Sequence, residues 1–306
     1  MLYAKKDFLK SMKSYILNLN FKFISNSFLY FFLSLIIITL DFLFRDYLNE
    51  KIVILVLIFF IIFLGLPHGA LDTLVAKNKK IFKGFYGFIF FNLFYLIIAL
   101  IVFFIWSILP TLSLGIFLIL SIFHFSEDWK PKLRTFERLI LGASAINLVV
   151  FFNTQEVKSI YTSLTNSNNI NIIISFQVYM SYLLFIFLAI IIFKNIKSIN
   201  LLLNIFTILT TAFLLKPLPY FLCYFCLFHS IKNYRDSSKY LDNKNKKFKN
   251  KILILNLVFT VILSIFAYTM YLNGSMEEKF LKLIFIGLAA LTVPHMLLKL
   301  YISIKK

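Results

Sequence analysis

The chain contains four histidines, and they are its best candidates for chemistry. They are His68, His124, His229 and His295, and each lies within a long apolar run. Ionisable side chains are costly in segments that enter a membrane, so by default they indicate a function there. Imidazoles without cysteine partners are typical ligands of iron, copper, zinc or nickel. All four histidines are therefore candidate ligands of one transition-metal ion.

Carboxylates follow two of these histidines at helical spacing. Asp72 is four positions after His68. Glu127 and Asp128 are three and four positions after His124. Residues three or four apart share one face of a helix, and a carboxylate that binds the second ring nitrogen orients a metal-bound imidazole. The spacing predicts that these acids support the histidine of their own helix, although ordinary acids at helix ends are an equally good interpretation.

The composition identifies the elements that must position these residues. Of the 306 residues, 60% are hydrophobic and only 15% are charged, and the mean hydropathy is +0.87. Soluble domains carry about 25% charged residues, so a soluble globular protein is excluded. A disordered chain and a disulfide scaffold are excluded by the apolar content and by the presence of only two cysteines. The bulk of the chain is expected to lie in lipid.

Apolar runs of about 20 residues are long enough to cross a bilayer as helices. Their apolar character is continuous, whereas the strands of a membrane β-barrel alternate. We predict an all-α polytopic integral membrane bundle of about ten transmembrane helices. The predicted spans are 27–44, 52–76, 84–106, 110–126, 135–152, 172–193, 199–215, 217–231, 252–272 and 281–300.

The basic residues predict the orientation of this bundle. With the spans numbered in order, 26 of the 32 lysines and arginines fall on one side. The positive-inside rule places that side, and with it both termini, in the cytoplasm. The net charge of +19 is then a topology signal rather than evidence of nucleic-acid binding. The partners expected are membrane lipids, and the expected location is a bacterial inner membrane.

The chain is predicted to form a single membrane domain over residues 1–306. Residues 1–26 mix lysine with aromatic and aliphatic residues, which suits an interfacial segment. Residues 232–251 form a basic cytoplasmic loop in this scheme, and 153–171 is a polar loop on the other side. Cys223 and Cys226 form a C-x-x-C inside an apolar run, which favours buried packing over a redox role.

The same topology places the four histidines at one depth. All four lie in spans that run towards the cytoplasm, and each precedes its basic flank by three to nine positions. At 1.5 Å per residue their depths differ by only about 9 Å. Four separate helices are therefore expected to bring imidazoles to one layer near the cytoplasmic side.

Four short motifs around the histidines resemble those of a known family. They are GLPHGALD (65–72), FHFSEDW (123–129), FHSIKNY (228–234) and VPHMLL (293–298). They resemble the histidine motifs and the C-terminal segment of the Brp/Blh family of integral membrane β-carotene 15,15'-dioxygenases. The resemblance implies cleavage of β-carotene, or a related carotenoid, by O2 to give two molecules of retinal. It also implies an Fe(2+) cofactor and, in many members, delivery of retinal to a microbial rhodopsin.

The resemblance implies His68, His124 and His229 as iron ligands. The third family motif usually carries a second histidine, and Asn233 stands at that position here. Three alternatives follow: the metal keeps three protein ligands, Asn233 coordinates through its carbonyl, or His295 supplies the fourth imidazole. A further histidine that often follows the aspartate of the first motif is replaced by Thr73.

Other functions remain open from the sequence. A haem protein with axial histidine pairs would use the same residues, and isolated protein would then show a Soret band. A transporter, or a carotenoid-binding homologue that lost activity with the change at position 233, is a non-catalytic alternative. Membrane di-iron oxygenases need roughly twice as many histidines as this chain has.

Overall fold

The computed structural model describes residues 26–47, 49–65, 71–130, 133–238 and 275–304. Within these ranges the regular structure is helical, and no strand occurs among them. The predicted all-α class is confirmed. The helices are α1 (Asn26–Phe44), α2 (Glu50–Phe60), α3 (Asp72–Asn78), α4 (Gly84–Ile108), α5 (Pro110–Ser126), α6 (Thr135–Phe152), α7 (Thr154–Thr165), α8 (Asn171–Lys194), α9 (Ile199–Leu214), α10 (Pro217–Phe221), α11 (Ile231–Ser238) and α12 (Met276–Ile304).

Four short helical segments extend or connect these helices. A π-helical turn at Ile61–Gly65 continues α2, and 3-10 turns occur at Glu127–Trp129 and Asn168–Ile170. A longer π-helix, Leu222–Ser230, joins α10 to α11 and is called the π segment below. π-Helical geometry is rare and is frequently associated with functional sites.

Six helices in the described ranges are long and apolar enough to cross a membrane. They are α1, α4, α5 with its 3-10 turn, α6, α8 and α12. Predicted spans 52–76 and 199–215 correspond to shorter apolar helices at Lys51–Gly65 and Ile199–Leu214. Predicted span 252–272 lies outside the described residues, as do almost all of the interfacial segment 1–26 and most of the loop 232–251. The long apolar helices identify a membrane protein, and the number ten stays a prediction.

Proline determines where the seventh and eighth predicted spans divide. Leu215 and Lys216 are extended, and α10 begins directly afterwards at Pro217. A residue before proline is disfavoured in the α conformation, whereas proline itself fits the first turn of a helix. The eighth span is therefore a composite of α10, the π segment and α11.

Helix α6 is the centre of the bundle and packs against α5, α8 and α9. Its middle is rich in small residues, and Gly142 allows the closest approach to α5. A Cβ atom added to Gly142 would lie 2.4 Å from the Ile122 carbonyl oxygen and 2.8 Å from the Ser126 backbone nitrogen. Small residues at such positions let membrane helices pack with their backbones close together. This contact fixes the part of α5 that carries His124.

The polar stretch 153–171 was expected to be a loop, and that prediction is wrong. It forms α7 and a 3-10 turn, because Val157, Tyr161 and Leu164 recur at helical spacing and are buried together. The helix ends at Thr165, and the next residue, Asn166, caps it in a left-handed conformation with φ of 51°. Helix α7 packs against α12, α5 and α6. The stretch is polar on average, which concealed its apolar face.

Every residue of the π segment is buried. The segment packs against α1 and against the π-helical turn that ends α2. Cys223 and Cys226 are free thiols with no exposed surface. The prediction that this C-x-x-C serves buried packing is confirmed.

A cleft of about 620 Å³, lined by both charged and apolar residues, opens at the end of the bundle opposite the histidines. Its walls come from α1, α2, α7, α10 and α12, and Asp41 and Glu277 are among the lining residues. His295 is 18 residues beyond Glu277 on α12, which corresponds to about 27 Å along the helix axis. The helix ends that line this cleft are the ones that the predicted topology places together on the side of the membrane away from the cytoplasm. Which end faces the cytoplasm stays a prediction.

Candidate metal centre

Three of the four histidines come together in the core. His124 lies near the end of α5, His229 lies in the π segment, and His295 lies in α12. The ring centroid of His124 is 4.5 Å from that of His229 and 5.1 Å from that of His295. All three side chains are buried. Helices from three separate parts of the chain therefore converge on one cluster of imidazoles.

Asp128 holds the ring of His229. The Nδ1 atom of His229 is 2.8 Å from Oδ2 of Asp128. The hydroxyl of Tyr224 donates to the same oxygen at 3.3 Å. A carboxylate is only an acceptor, so Nδ1 of His229 carries the proton in this contact. The other ring nitrogen, Nε2, is 3.4 Å from Nδ2 of Asn233.

Asp72 holds the ring of His295 in a parallel arrangement. The Nδ1 atom of His295 is 2.7 Å from Oδ2 and 2.9 Å from Oδ1 of Asp72. The hydroxyl of Tyr95, on α4, donates to Oδ2 of Asp72 at 3.0 Å. The centre thus contains two tyrosine–aspartate–histidine arrangements on either side of His124.

Asp128 and Asp72 contact histidines of other helices, which spacing along one helix did not predict. The expected pairing of Asp72 with His68 stays a prediction, because His68 lies outside the described residues. Each binds a histidine that is distant in sequence. Asp128 lies in the 3-10 turn after α5, which rotates it away from the face on which α-helical spacing would place it. Asp72 is the first residue of α3 and reaches His295 on α12.

Glu127 takes no part in this hydrogen-bond network among the described residues. Its side chain is 36% exposed and forms an ion pair with Lys130. The alternative interpretation, that an acid here is an ordinary acid at a helix end, fits Glu127. Exposure separates it from Asp128, whose side chain is 1% exposed.

Asn233 lies one turn after His229, on α11, and contacts the same carboxylate. Its Nδ2 atom is 3.3 Å from Oδ1 of Asp128 and 3.1 Å from the backbone oxygen of His229. Its Oδ1 atom accepts a hydrogen bond from Nζ of Lys299 at 2.8 Å. Lys299 is on α12, four residues after His295.

Aromatic rings enclose the imidazole of His229. The rings of Phe125 and Phe225 lie 4.9 and 5.7 Å from it, centroid to centroid. The rings of Trp129 and Phe228 pack against each other at 5.3 Å, one layer further out. These residues give the histidine cluster apolar walls that exclude water.

The donor set fits a transition-metal ion in its chemistry. Metal-binding histidines almost always donate their second N–H to a carboxylate or carbonyl, as His229 and His295 do here. Within the described ranges, no group of three His, Cys, Asp or Glu side chains is placed so that it could hold a metal ion. His68, the fourth candidate ligand, lies outside the described residues. The described residues on either side of that gap adjoin the centre: Gly65 lies against Phe225, and Asp72 binds His295.

Sequence reasoning missed Tyr95, Tyr224 and Lys299. The chain has 16 tyrosines and a large excess of basic residues, so no compositional feature singles these three out. Tyr224 lies five positions before His229, and Lys299 lies four positions after His295. For Tyr224 and Lys299, closeness in sequence to a candidate ligand was the one available signal. Tyr95 is not close in sequence to any histidine.

The fold and the site define a helical membrane protein with a buried histidine–carboxylate centre. The family model of beta-carotene 15,15'-dioxygenase matches residues 59–302, so the chain belongs to that family of enzymes. It is also 30% identical over 263 residues to the beta-carotene 15,15'-dioxygenase of uncultured marine bacterium 66A03. That similarity covers 78% of this chain and 90% of the relative. No solved structure matches the chain.

The family resemblance inferred from the four motifs is confirmed by this match. The match covers His124, His229 and His295 as well as the segment that contains His68. Family and relative together support cleavage of a carotene by an enzyme, and they do not favour the haem or transporter alternatives.

Proposed function

We propose that this protein cleaves the central 15,15' double bond of β-carotene with O2 and releases two molecules of retinal. The observation that supports this proposal best is that three imidazoles meet in the core of a chain that matches this family. Buried carboxylates hold two of these imidazoles. The reaction adds both atoms of one O2 across one carbon–carbon double bond. Two aldehydes form, and no external reductant is needed.

The residues proposed to hold Fe(2+) are His68, His124, His229 and His295. Bound there, ferrous iron would supply the activation of O2 that cleavage of the double bond requires. Asp128 and Asp72 orient His229 and His295 by accepting their Nδ1 protons. The two carboxylates also offset the charge that the cation brings into an apolar region.

The surroundings suit a long apolar substrate. β-Carotene dissolves in lipid, and the bundle presents large apolar residues to its surroundings along α4 and α8. Phe125 and Phe225 keep water from the imidazole of His229. A bacterial inner membrane supplies the carotenoid, and we expect retinal to pass to a microbial rhodopsin in the same bilayer.

The test is expression in bacteria that accumulate β-carotene. We expect bleaching of the cells and retinal in the extract. Variants His68→Ala, His124→Ala and His229→Ala should lower retinal to background, because each removes a proposed ligand. Glu127→Gln is the matched control, since Glu127 is 36% exposed and forms an ion pair with the exposed Lys130.

Purified protein separates the alternatives. Iron bound without a Soret band is expected, whereas a Soret band would favour the haem protein. Folded, iron-loaded protein that leaves the carotenoid unchanged would contradict the proposal and favour a carotenoid-binding homologue.

A further inference from the structure

Asn233 stands where the family resemblance leads one to expect a histidine, and its amide is held from three sides. Nδ2 faces Oδ1 of Asp128 at 3.3 Å and the backbone oxygen of His229 at 3.1 Å. It also lies 3.2 and 3.4 Å from Nδ1 and Nε2 of the His229 ring. Oδ1 faces Nζ of Lys299 at 2.8 Å. Asn233 and Lys299 are both partly shielded from solvent.

The orientation of this amide follows from its partners. A lysine ammonium has three donors and no acceptor, so the amide atom that it touches is the oxygen. The Asp128 carboxylate and the His229 backbone carbonyl are acceptors only, so the amide atom that faces them is the NH2 group. If the amide were turned over, its NH2 group would face the ammonium of Lys299, which is also a donor. Its oxygen would face the Asp128 carboxylate and the His229 carbonyl, which are also acceptors.

This orientation prevents Asn233 from acting as a ligand. An asparagine binds a metal through its carbonyl oxygen, which here faces Lys299, whereas the NH2 group faces Nε2 of His229 at 3.4 Å. Coordination would require the amide to turn over and to break its contacts with Lys299 and Asp128.

We infer that Asn233 and Lys299 form a positioning pair for His229 rather than part of the metal coordination. Lys299 holds the amide oxygen, the amide NH2 group holds Oδ1 of Asp128, and Oδ2 of Asp128 holds Nδ1 of His229. The inference rests on the proposed function for its metal, but the hydrogen-bonded chain is defined without one.

The pair also accounts for the departure from the family motif. An imidazole at position 233 could accept from Lys299 through one nitrogen and donate through the other. It could not also supply the second N–H that the amide gives to the backbone oxygen of His229. His295, held by Asp72, is then the fourth imidazole of the centre.

The first arm of the experiment uses metal-free protein in detergent. Thermal unfolding is measured for Asn233→Leu, Lys299→Met and the double variant. Because the two residues share one hydrogen bond, the fall in Tm of the double variant should be clearly smaller than the sum of the single falls. Additive falls would overturn the inference, whether or not the protein proves to be an iron enzyme.

The second arm titrates the purified protein with Fe(2+) without oxygen, and with Co(2+) to record its d–d absorption spectrum. Asn233→Leu and Lys299→Met should weaken Fe(2+) binding about 10-fold or more, the range for residues that orient metal ligands. The Co(2+) spectrum of Asn233→Leu should keep its band positions and intensity, because the number of ligands is unchanged. Asn233→His should also bind Fe(2+) more weakly and yield less retinal.

A matched control exists on the same helix. Nζ of Lys282 donates to Oδ1 of Asn166 at 3.0 Å, which is a lysine–asparagine hydrogen bond at the other end of α12. Lys282→Met should leave the Fe(2+) affinity and the Co(2+) spectrum unchanged. The Lys282→Met variant therefore shows what loss of a lysine–asparagine hydrogen bond does when the bond lies far from the histidines.

The outcomes separate the two proposals. A changed Co(2+) spectrum in Asn233→Leu, or tighter Fe(2+) binding in Asn233→His, would show that position 233 faces the metal and would overturn the inference. If the wild-type protein binds neither ion but Asn233 and Lys299 remain coupled in the unfolding cycle, the proposed function fails and the hydrogen-bonded pair stands.

Discussion

Asp128 supports more of the centre than any other single described side chain. It accepts from His229 and Tyr224 through one oxygen and from Asn233 through the other. Three side chains within the continuous stretch 224–233 therefore depend on one buried carboxylate. Tyr95 and Asp72 form a smaller counterpart at His295.

Asp128→Asn should lower retinal production and Fe(2+) affinity about 10- to 100-fold, the range for groups that orient a metal-binding histidine. An amide keeps the shape of the side chain but removes the negative charge and one of the two acceptor oxygens. Retinal is measured by chromatography, and bound iron is measured after purification. Glu127→Gln, at the residue directly before Asp128, should change neither retinal production nor Fe(2+) affinity. Equal effects of the two substitutions would contradict the role of Asp128 in orienting His229.

The sequence predicted the residues of the centre better than their partners. Helical spacing connected Asp72 to His68 and Asp128 to His124, and it could not anticipate contacts across 223 and 101 positions. Such contacts are set by how helices pack, which local spacing does not encode.

Among the helices, the contact between α5 and α6 determines where His124 lies. Gly142 faces the α5 backbone at Ile122 and Ser126, which lie two positions before and two positions after His124. The approach is too close for any side chain. Packing at this one position therefore connects the stability of the bundle to the geometry of its centre.

Gly142→Ala should destabilise the protein by about 1–3 kcal/mol, since the added Cβ would force the two helices apart. It should lower retinal production as well, because the displaced part of α5 carries His124. Thermal unfolding in detergent and retinal output are the two measurements. Gly115→Ala is the matched control on α5, where an added Cβ would meet nothing within 4 Å. If Gly142→Ala left the Tm unchanged, α5 and α6 would have to lie further apart than the structure places them.

Apolar content predicted the long helices well and the composite ones poorly. Helices α4 and α8 follow from uninterrupted apolar runs. The division between α9 and α10 depends on Pro217, and α7 depends on an apolar face hidden within a polar stretch. Hydropathy averaged over a window detects neither feature, because both are local.

For the bundle as a whole, the distribution of lysines and arginines predicts which end faces the cytoplasm. The histidine cluster and the cleft lined by Asp41 and Glu277 lie at opposite ends, about 27 Å apart along α12. The positive-inside rule places the histidine end towards the cytoplasm and the cleft towards the outside.

In spheroplasts, a membrane-impermeant maleimide should label Ser159→Cys and should label Lys83→Cys only after the membrane is disrupted. Ser159 is exposed on α7 and lines the cleft, and Lys83 is exposed just before α4. The native cysteines are buried, so the wild-type protein should give a low background. The reverse labelling pattern would invert the predicted topology.

The amino-acid sequence alone determined that this is a helical membrane protein, which family it resembles and which histidines are candidate metal ligands. Those conclusions follow from composition and from short motifs, which are properties of neighbouring residues. Only the tertiary structure decided that Asp72 serves His295, that Asp128 serves His229 and that Asn233 turns its oxygen to Lys299. Each of these pairs joins different helices, and the packing of the bundle, rather than the spacing along any one helix, brings such partners within hydrogen-bond distance.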